Sequence, residues 1–166
     1  MRGRLHLLFF VLAILGLVLS LIVHVATFAD VDLIDTFPAF WVLHLGIFMV
    51  FIPCLLVGAK PRRYREPLPA KPRWLSRLVY LFFIYAGVNF IIFLFLIREG
   101  TAQRLDDGTY MLAHRAHRVR AITEAEFHHQ NALVARGFSG HWMLFYCMTV
   151  LLLWPRKEKP PEPAGG

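Results

Sequence analysis

The chain has 166 residues, of which 57% are hydrophobic and only 17% are charged, and its net charge is +7. A soluble domain carries nearer a quarter charged residues, so this composition excludes an ordinary soluble domain and favours a membrane protein. A membrane-spanning helix needs about 20 apolar residues, because the bilayer core is about 30 Å thick and each helical residue rises about 1.5 Å.

Three long apolar blocks meet that requirement in chain order. Residues 5–28 and 37–58 contain no Asp, Glu, Lys or Arg, and residues 78–97 lie between Arg77 and Arg98. Blocks of this length and composition predict three spanning helices.

A fourth apolar block, residues 138–154, lies at the short end of the spanning range. Trp142 and Trp154 are placed near its ends, as interfacial anchors are, and Pro155 with the basic residues after it would stop the helix. The sequence therefore predicts an all-α fold, a four-helix transmembrane bundle with a small extracytoplasmic hairpin-plus-helix insertion.

The distribution of charge predicts the orientation of these helices. Most of the 18 lysines and arginines lie at the N-terminus, in the connection 59–77 and in the tail 156–166, whereas the first connection carries only the acids Asp30, Asp32 and Asp35. Short basic loops stay in the cytoplasm, which predicts that both termini face the cytoplasm. The basic residues would then contact anionic lipid headgroups, and nucleic-acid binding is not expected. The predicted division is helices 1 to 3 within 1–98, an outer loop 99–137, helix 4 at 138–155 and a disordered tail 156–166.

The outer loop has its own local signals. Strand-forming residues at 109–113 and 119–122 predict a hairpin turning over residues 114–117. Thr123 and Glu126 have the spacing of a capping box, which predicts a short helix over residues 124–136 that ends with Gly137 as its C-cap.

Four histidines of this loop raise the question of a metal site. No cysteine or paired carboxylate completes a recognised ligand spacing, so solvated surface histidines are the favoured interpretation and zinc or copper binding is the alternative. These residues are His114, His117, His128 and His129.

Polar side chains inside the apolar blocks are more informative, because each needs a partner in a medium without water. His24, His44, Asn89 and His141 provide one polar group from each helix, all in the outer half of the predicted bilayer. Tyr85 and Tyr146, with Ser20 and Ser139, add hydroxyl groups nearby. Gly16, Ser20 and His24 recur every four residues, a small-residue stripe that predicts an inward-facing surface.

Two interpretations of this polar set remain open. The favoured one is a structural network of interhelical hydrogen bonds. The alternative is a pocket in which His24 and His44 hold a b-type haem or a metal, or contact a quinone. No Asp, Glu, Lys or Arg lies in the middle of a block, which argues against ion-coupled transport. No catalytic constellation is evident.

The segment Gly137-Phe138-Ser139-Gly140-His141-Trp142-Met143, followed by Phe145-Tyr146, resembles the GFSGHWM.FY segment that opens the last span in a group of small uncharacterised bacterial four-span membrane proteins. The stretches 42–48 and 85–90 resemble the second and third spans of that group. The resemblance implies this topology in a bacterial inner membrane, and it implies no activity. We therefore expect a non-catalytic accessory or scaffold protein, binding a membrane partner or a second copy. A haem-, metal- or quinone-binding redox protein is the alternative.

Overall fold

The computed structural model describes residues 2–58, 71–114 and 117–154. The basic connection at 59–70 and the tail from 155 onward lie outside the described residues, so the predictions made for them are not addressed. In chain order, the helices and strands are α1 (Arg2–Ala26), α2 (Leu33–Thr36), α3 (Val42–Gly58), α4 (Arg73–Leu96), β1 (Thr101–Arg104), β2 (Tyr110–His114), β3 (His117–Ile122) and α5 (Glu124–Leu152).

Three of the described helical segments are long and apolar enough to cross a membrane, and they match the three long blocks predicted from the sequence. They comprise Arg4–Ala29, Pro38–Leu56 and Arg73–Leu96. Helix α4, which forms the third of these segments, begins at Arg73, directly after Pro72, and not at residue 78 as predicted. A proline before the first helical turn is compatible with helix initiation, so the last residues of the predicted loop 59–77 are helical.

The predicted end of the short helix at Gly137 is wrong, because α5 continues without interruption from Glu124 to Leu152. Thr123 caps its start as predicted, since its hydroxyl accepts a hydrogen bond from the Glu126 backbone N–H at 3.2 Å. Gly137 is not a C-cap. A glycine cap needs a positive φ, and among the described glycines only Gly100 and Gly108 have one.

The other long helices pack around α5, which makes the principal contacts of α1, α3 and α4. One apolar cluster joins Phe40, Ile47 and Trp142 near the end of the molecule that carries the sheet. A second joins Ala13, Leu75 and Cys147 near the opposite end. Trp142 is only 1% exposed, so its predicted role as an interfacial anchor is wrong.

The segment between α4 and α5 forms a three-stranded antiparallel sheet in the order β1-β2-β3. The predicted hairpin is confirmed, with His114 opposite His117 where β2 meets β3. Strand β1 is an addition to the predicted hairpin-plus-helix. It pairs with β2 from Thr101 opposite Ala113 to Arg104 opposite Tyr110, after a turn at Gly100 whose φ of +134° suits glycine.

Candidate functional site

His24 lies at the centre of the contacts among α1, α4 and α5. Its Nδ1 is 2.8 Å from the Ser139 hydroxyl, and its Nε2 is hydrogen-bonded to the Tyr85 hydroxyl. The imidazole is 4% exposed and Ser139 is fully buried. The two hydrogen bonds of His24 therefore take the place of hydrogen bonds to water. Both ring nitrogens of His24 are therefore used in helix-to-helix contacts.

The backbone carbonyls of Arg136 and Gly137 extend this network along α5. Asn89 donates to both, at 3.1 and 3.2 Å, and His141 Nδ1 donates to the Gly137 carbonyl at 3.0 Å. Ser139 donates to the Arg136 carbonyl at 3.2 Å. Four of the six predicted site residues thus belong to one connected network: His24, Tyr85, Asn89 and His141.

The carbonyl groups also determine which atoms of this network carry the hydrogens, because a carbonyl oxygen can only accept a hydrogen bond. When Ser139 donates to the Arg136 carbonyl, its oxygen accepts from His24 Nδ1–H, and His24 Nε2 then accepts from the Tyr85 hydroxyl. Every polar hydrogen has an acceptor in this arrangement, which makes a neutral imidazole the consistent state.

Arg136 and Thr27, which were not among the predicted site residues, join the C-terminal end of α1 to α5. The Arg136 guanidinium donates to the Thr27 carbonyl and hydroxyl, and it lies 4.3 Å from the centre of the Phe28 ring. Thr27 in turn donates to the His24 carbonyl at 2.7 Å. No local sequence signal joins residues so far apart in the chain.

The remaining two predicted site residues bond elsewhere. His44 Nδ1 accepts from the Trp142 indole N–H at 2.9 Å. The Tyr146 hydroxyl donates to the Leu43 carbonyl at 2.7 Å. Among the described residues, no hydrogen bond links His44 to His24. A single polar constellation of all six residues is therefore not observed.

His44 and His141 instead line a cavity of about 410 Å³ between α3, α4 and α5. Its wall is made almost entirely of apolar atoms. Besides the two histidines and Trp142, six phenylalanines contribute to it: Phe48, Phe51, Phe90, Phe93, Phe138 and Phe145.

The donor set does not fit a haem or metal held between His24 and His44. His24 has no uncommitted ring nitrogen. His44 Nδ1 accepts from Trp142, so the neutral ring carries its proton on Nε2 and has no lone pair there for a metal. His141 alone of the three keeps a free acceptor nitrogen, because its Nδ1 is the donor to Gly137. One imidazole does not form a bis-histidine site.

A second polar cluster ties the first connection to the start of α5. The buried Asp32 carboxylate accepts from His128 Nδ1 at 2.7 Å and from Asn131 at 2.9 Å, while Asp35 pairs with Arg104 at 2.9 Å. Ligand atoms of Asp32, Asp35 and His128 lie within 4.8 Å of one another, which suits a cation by distance. Each is already paired, so these contacts favour an ion-paired cap over a metal centre.

Two carboxylates close to the sheet have lowered pKa values. The hydrogen bond from Arg120 lowers the pKa of Glu126, and the hydroxyl and backbone of Thr109 lower the pKa of Asp107. Asp107 is exposed and the Glu126 side chain is 31% exposed, so these shifts mark local pairing and not a catalytic acid. His114 and His117 are exposed at the end of the hairpin.

Comparison with known proteins adds no family to this description: the chain matches no family profile, no curated protein and no solved structure.

Proposed function

We propose that this chain is a four-span protein of the bacterial inner membrane, with both termini in the cytoplasm, that acts as a non-catalytic accessory or scaffold protein. The observation that carries this proposal is the way in which the polar side chains of the long helices are bonded. His24, Tyr85, Asn89 and Tyr146 are bonded to other helices, as expected for groups that hold a fold together.

The position of α5 supports a fourth span. Its second half, residues 139–152, is packed by the three helices that are each apolar enough to cross a membrane. Those helices expose many large apolar side chains, such as Leu45 at 60% and Phe83 at 63%, which would be costly in water. A helix enclosed by three spanning helices crosses the bilayer with them.

The segment that resembles the last span of the bacterial group supports the same proposal. Gly140 lets Asn89 approach, since a Cβ there would lie 2.5 Å from the Asn89 amide nitrogen. Ser139 bonds His24, and Trp142 bonds His44. The residues that carry the resemblance therefore serve helix packing, which would make packing the property that the group shares.

Two measurements on the full chain test the proposal. A reporter active only in the cytoplasm should work when fused after Gly166 and be silent when fused near Gln103. The detergent-purified protein should be colourless and free of bound metal. A reversed reporter pattern would overturn the orientation, and a haem absorption band would overturn the non-catalytic assignment in favour of the redox alternative.

A further inference from the structure

We infer that the aromatic cavity between α3, α4 and α5 holds one acyl chain of a membrane phospholipid. This inference goes beyond the scaffold role and uses only the proposed placement of the helices in a bilayer. The cavity is a large apolar recess among the described residues.

The wall chemistry excludes water as the resident. A buried water needs two to four polar partners, and this wall offers almost none, because the phenylalanine rings present carbon and the His44 and His141 nitrogens contribute very little surface. An empty space would leave the rings of Phe93, Phe138 and Phe145 without partner atoms on one side, at the cost of their dispersion contacts.

The volume fits one hydrocarbon chain. If a methylene group takes about the 30 Å³ that a water molecule takes in the liquid, 410 Å³ holds about fourteen of them. The cavity is also at the small end of the range of about 300–1,000 Å³ that ligand pockets occupy. Phospholipid chains have this length and are the most abundant apolar groups in a bilayer.

The position of the cavity determines how a chain would enter. Phe48, Phe90 and Phe93, which line it, are at least partly exposed, and α3 and α4 pack mainly on α5 and not on each other. The recess therefore opens sideways between α3 and α4, toward lipid. Trp142 lies in the wall and is 1% exposed, so the surrounding lipid does not reach its ring, and a group inside the cavity would lie close to it.

The buried indole provides a specific test. A variant with Trp41→Phe, Trp74→Phe and Trp154→Phe keeps Trp142 as its only tryptophan. Reconstituted into vesicles of phosphatidylglycerol with dibrominated acyl chains, it should lose most of its fluorescence relative to the same vesicles without bromine, because bromine quenches tryptophan fluorescence at short range. Unchanged fluorescence would overturn the inference.

A matched pair of substitutions tests whether quenching depends on the cavity. Ile52→Phe enlarges a lining residue, whereas Leu56→Phe makes the same kind of change one turn further along α3, at a residue that does not line the cavity. In the Trp142-only background, Ile52→Phe should restore much of the fluorescence and Leu56→Phe should not. Equal quenching in both would overturn the inference.

Two further measurements keep the outcomes distinct. A variant that retains only Trp74, which is 57% exposed, reports contact with lipid at the surface. Quenching of Trp74 without quenching of Trp142 would reject the cavity while leaving the membrane placement intact; no quenching of either would reject both. If the tryptophan variants fail to fold, native mass spectrometry of the unaltered chain should show one retained phospholipid, and Ile52→Phe should lose it.

Discussion

The first half of α5, residues 124–138, and its second half, residues 139–152, are held by different kinds of contact. Charged and amide groups dominate the first half, where Asp32 bonds Asn131 and His128, and Arg136 bonds Thr27. Aromatic rings and close approach dominate the second half, where Tyr146 fits against Gly16 and Gly46. In the proposed orientation the first half faces water and the second half lies in the membrane.

In that orientation, one regular helix would lie in two solvents, and its neighbours would supply the matching groups in each. The hydrogen bonds of the helix backbone are the same in both halves, so the backbone does not mark the boundary. The boundary between the two halves is marked by the side chains of α1, α2 and the first connection. Four predictions, from the largest expected effect to the smallest, test how far the two halves differ.

Gly16→Leu should produce the largest effect, because it acts on the close-packed half. A Cβ at residue 16 would lie 2.5 Å from Cζ of the Tyr146 ring, and the ring is held in place by its bond to the Leu43 carbonyl. We expect a loss of about 1–3 kcal/mol in the free energy of unfolding, measured by denaturant titration in detergent micelles. Gly87→Leu is the control, since nothing lies within 4 Å of a Cβ there. Equal losses in the two variants would show that tight packing does not define this half.

Asp32→Asn should produce the next largest effect, in the polar half. The Asp32 Oδ2 accepts from both His128 and Asn131, and Oδ1 accepts from the Asp35 N–H at 3.0 Å. An amide cannot accept on both sides, so a buried donor loses its partner, at a cost of about 1–3 kcal/mol.

The matched control for Asp32→Asn is Asp30→Asn. The Asp30 side chain, 56% exposed, pairs with a half-exposed His129, and asparagine tolerates its φ of 54°. Its effect should lie near zero, as for most solvated ion pairs. A result in which Asp30→Asn costs as much as Asp32→Asn would contradict the importance of the buried cap.

These contacts also show what could and could not be predicted from the sequence. Hydropathy predicted the three long apolar helices, because the apolar composition of each is visible in its own stretch of sequence. The strands of the hairpin and the Thr123 cap were predicted from the residues within and next to them. The continuity of α5 was missed because Gly137, read as a stop, instead makes room for the Phe93 ring. The Asp32–Asn131 bond joins residues far apart in the chain, which no local pattern encodes.

For the candidate site, the sequence predicted which polar groups are buried but not which partners they bond. Burial of His24 and Asn89 follows from the cost of exposing polar groups to lipid, and both are buried. Which partner each one finds depends on the rotation of the helices about their axes, and the sequence does not determine this rotation. His44 therefore bonds Trp142, and His24 bonds Ser139.

The bond between His24 and Tyr85 lies where the two halves of α5 meet, and its effect should be smaller. A double-mutant cycle of His24→Phe and Tyr85→Phe should give a coupling of about 0.6 kcal/mol and at most about 1.7, the range found for interhelical hydrogen bonds in membranes. A parallel cycle of His24→Phe with Tyr80→Phe, a tyrosine 64% exposed on the same helix, should be additive. Coupling of similar size in both cycles would mean that the His24–Tyr85 bond is not specific.

The smallest effect concerns Glu126, in the first turn of α5. Arg120 forms a salt bridge with it and lowers its pKa, and both side chains are partly exposed, at 47% for Arg120 and 31% for Glu126. A lowered carboxylate pKa stabilises the fold above the unfolded pKa, and this contribution is lost as the pH falls through the folded value. Arg120→Gln should therefore raise the pKa of Glu126 toward its usual range, as measured by NMR titration of labelled glutamate side chains.

Arg118→Gln, which removes the same charge from the same strand, should leave the Glu126 titration nearly unchanged. If instead both substitutions shift it equally, the general positive field of β3, and not the Arg120 contact, sets the pKa at the start of α5.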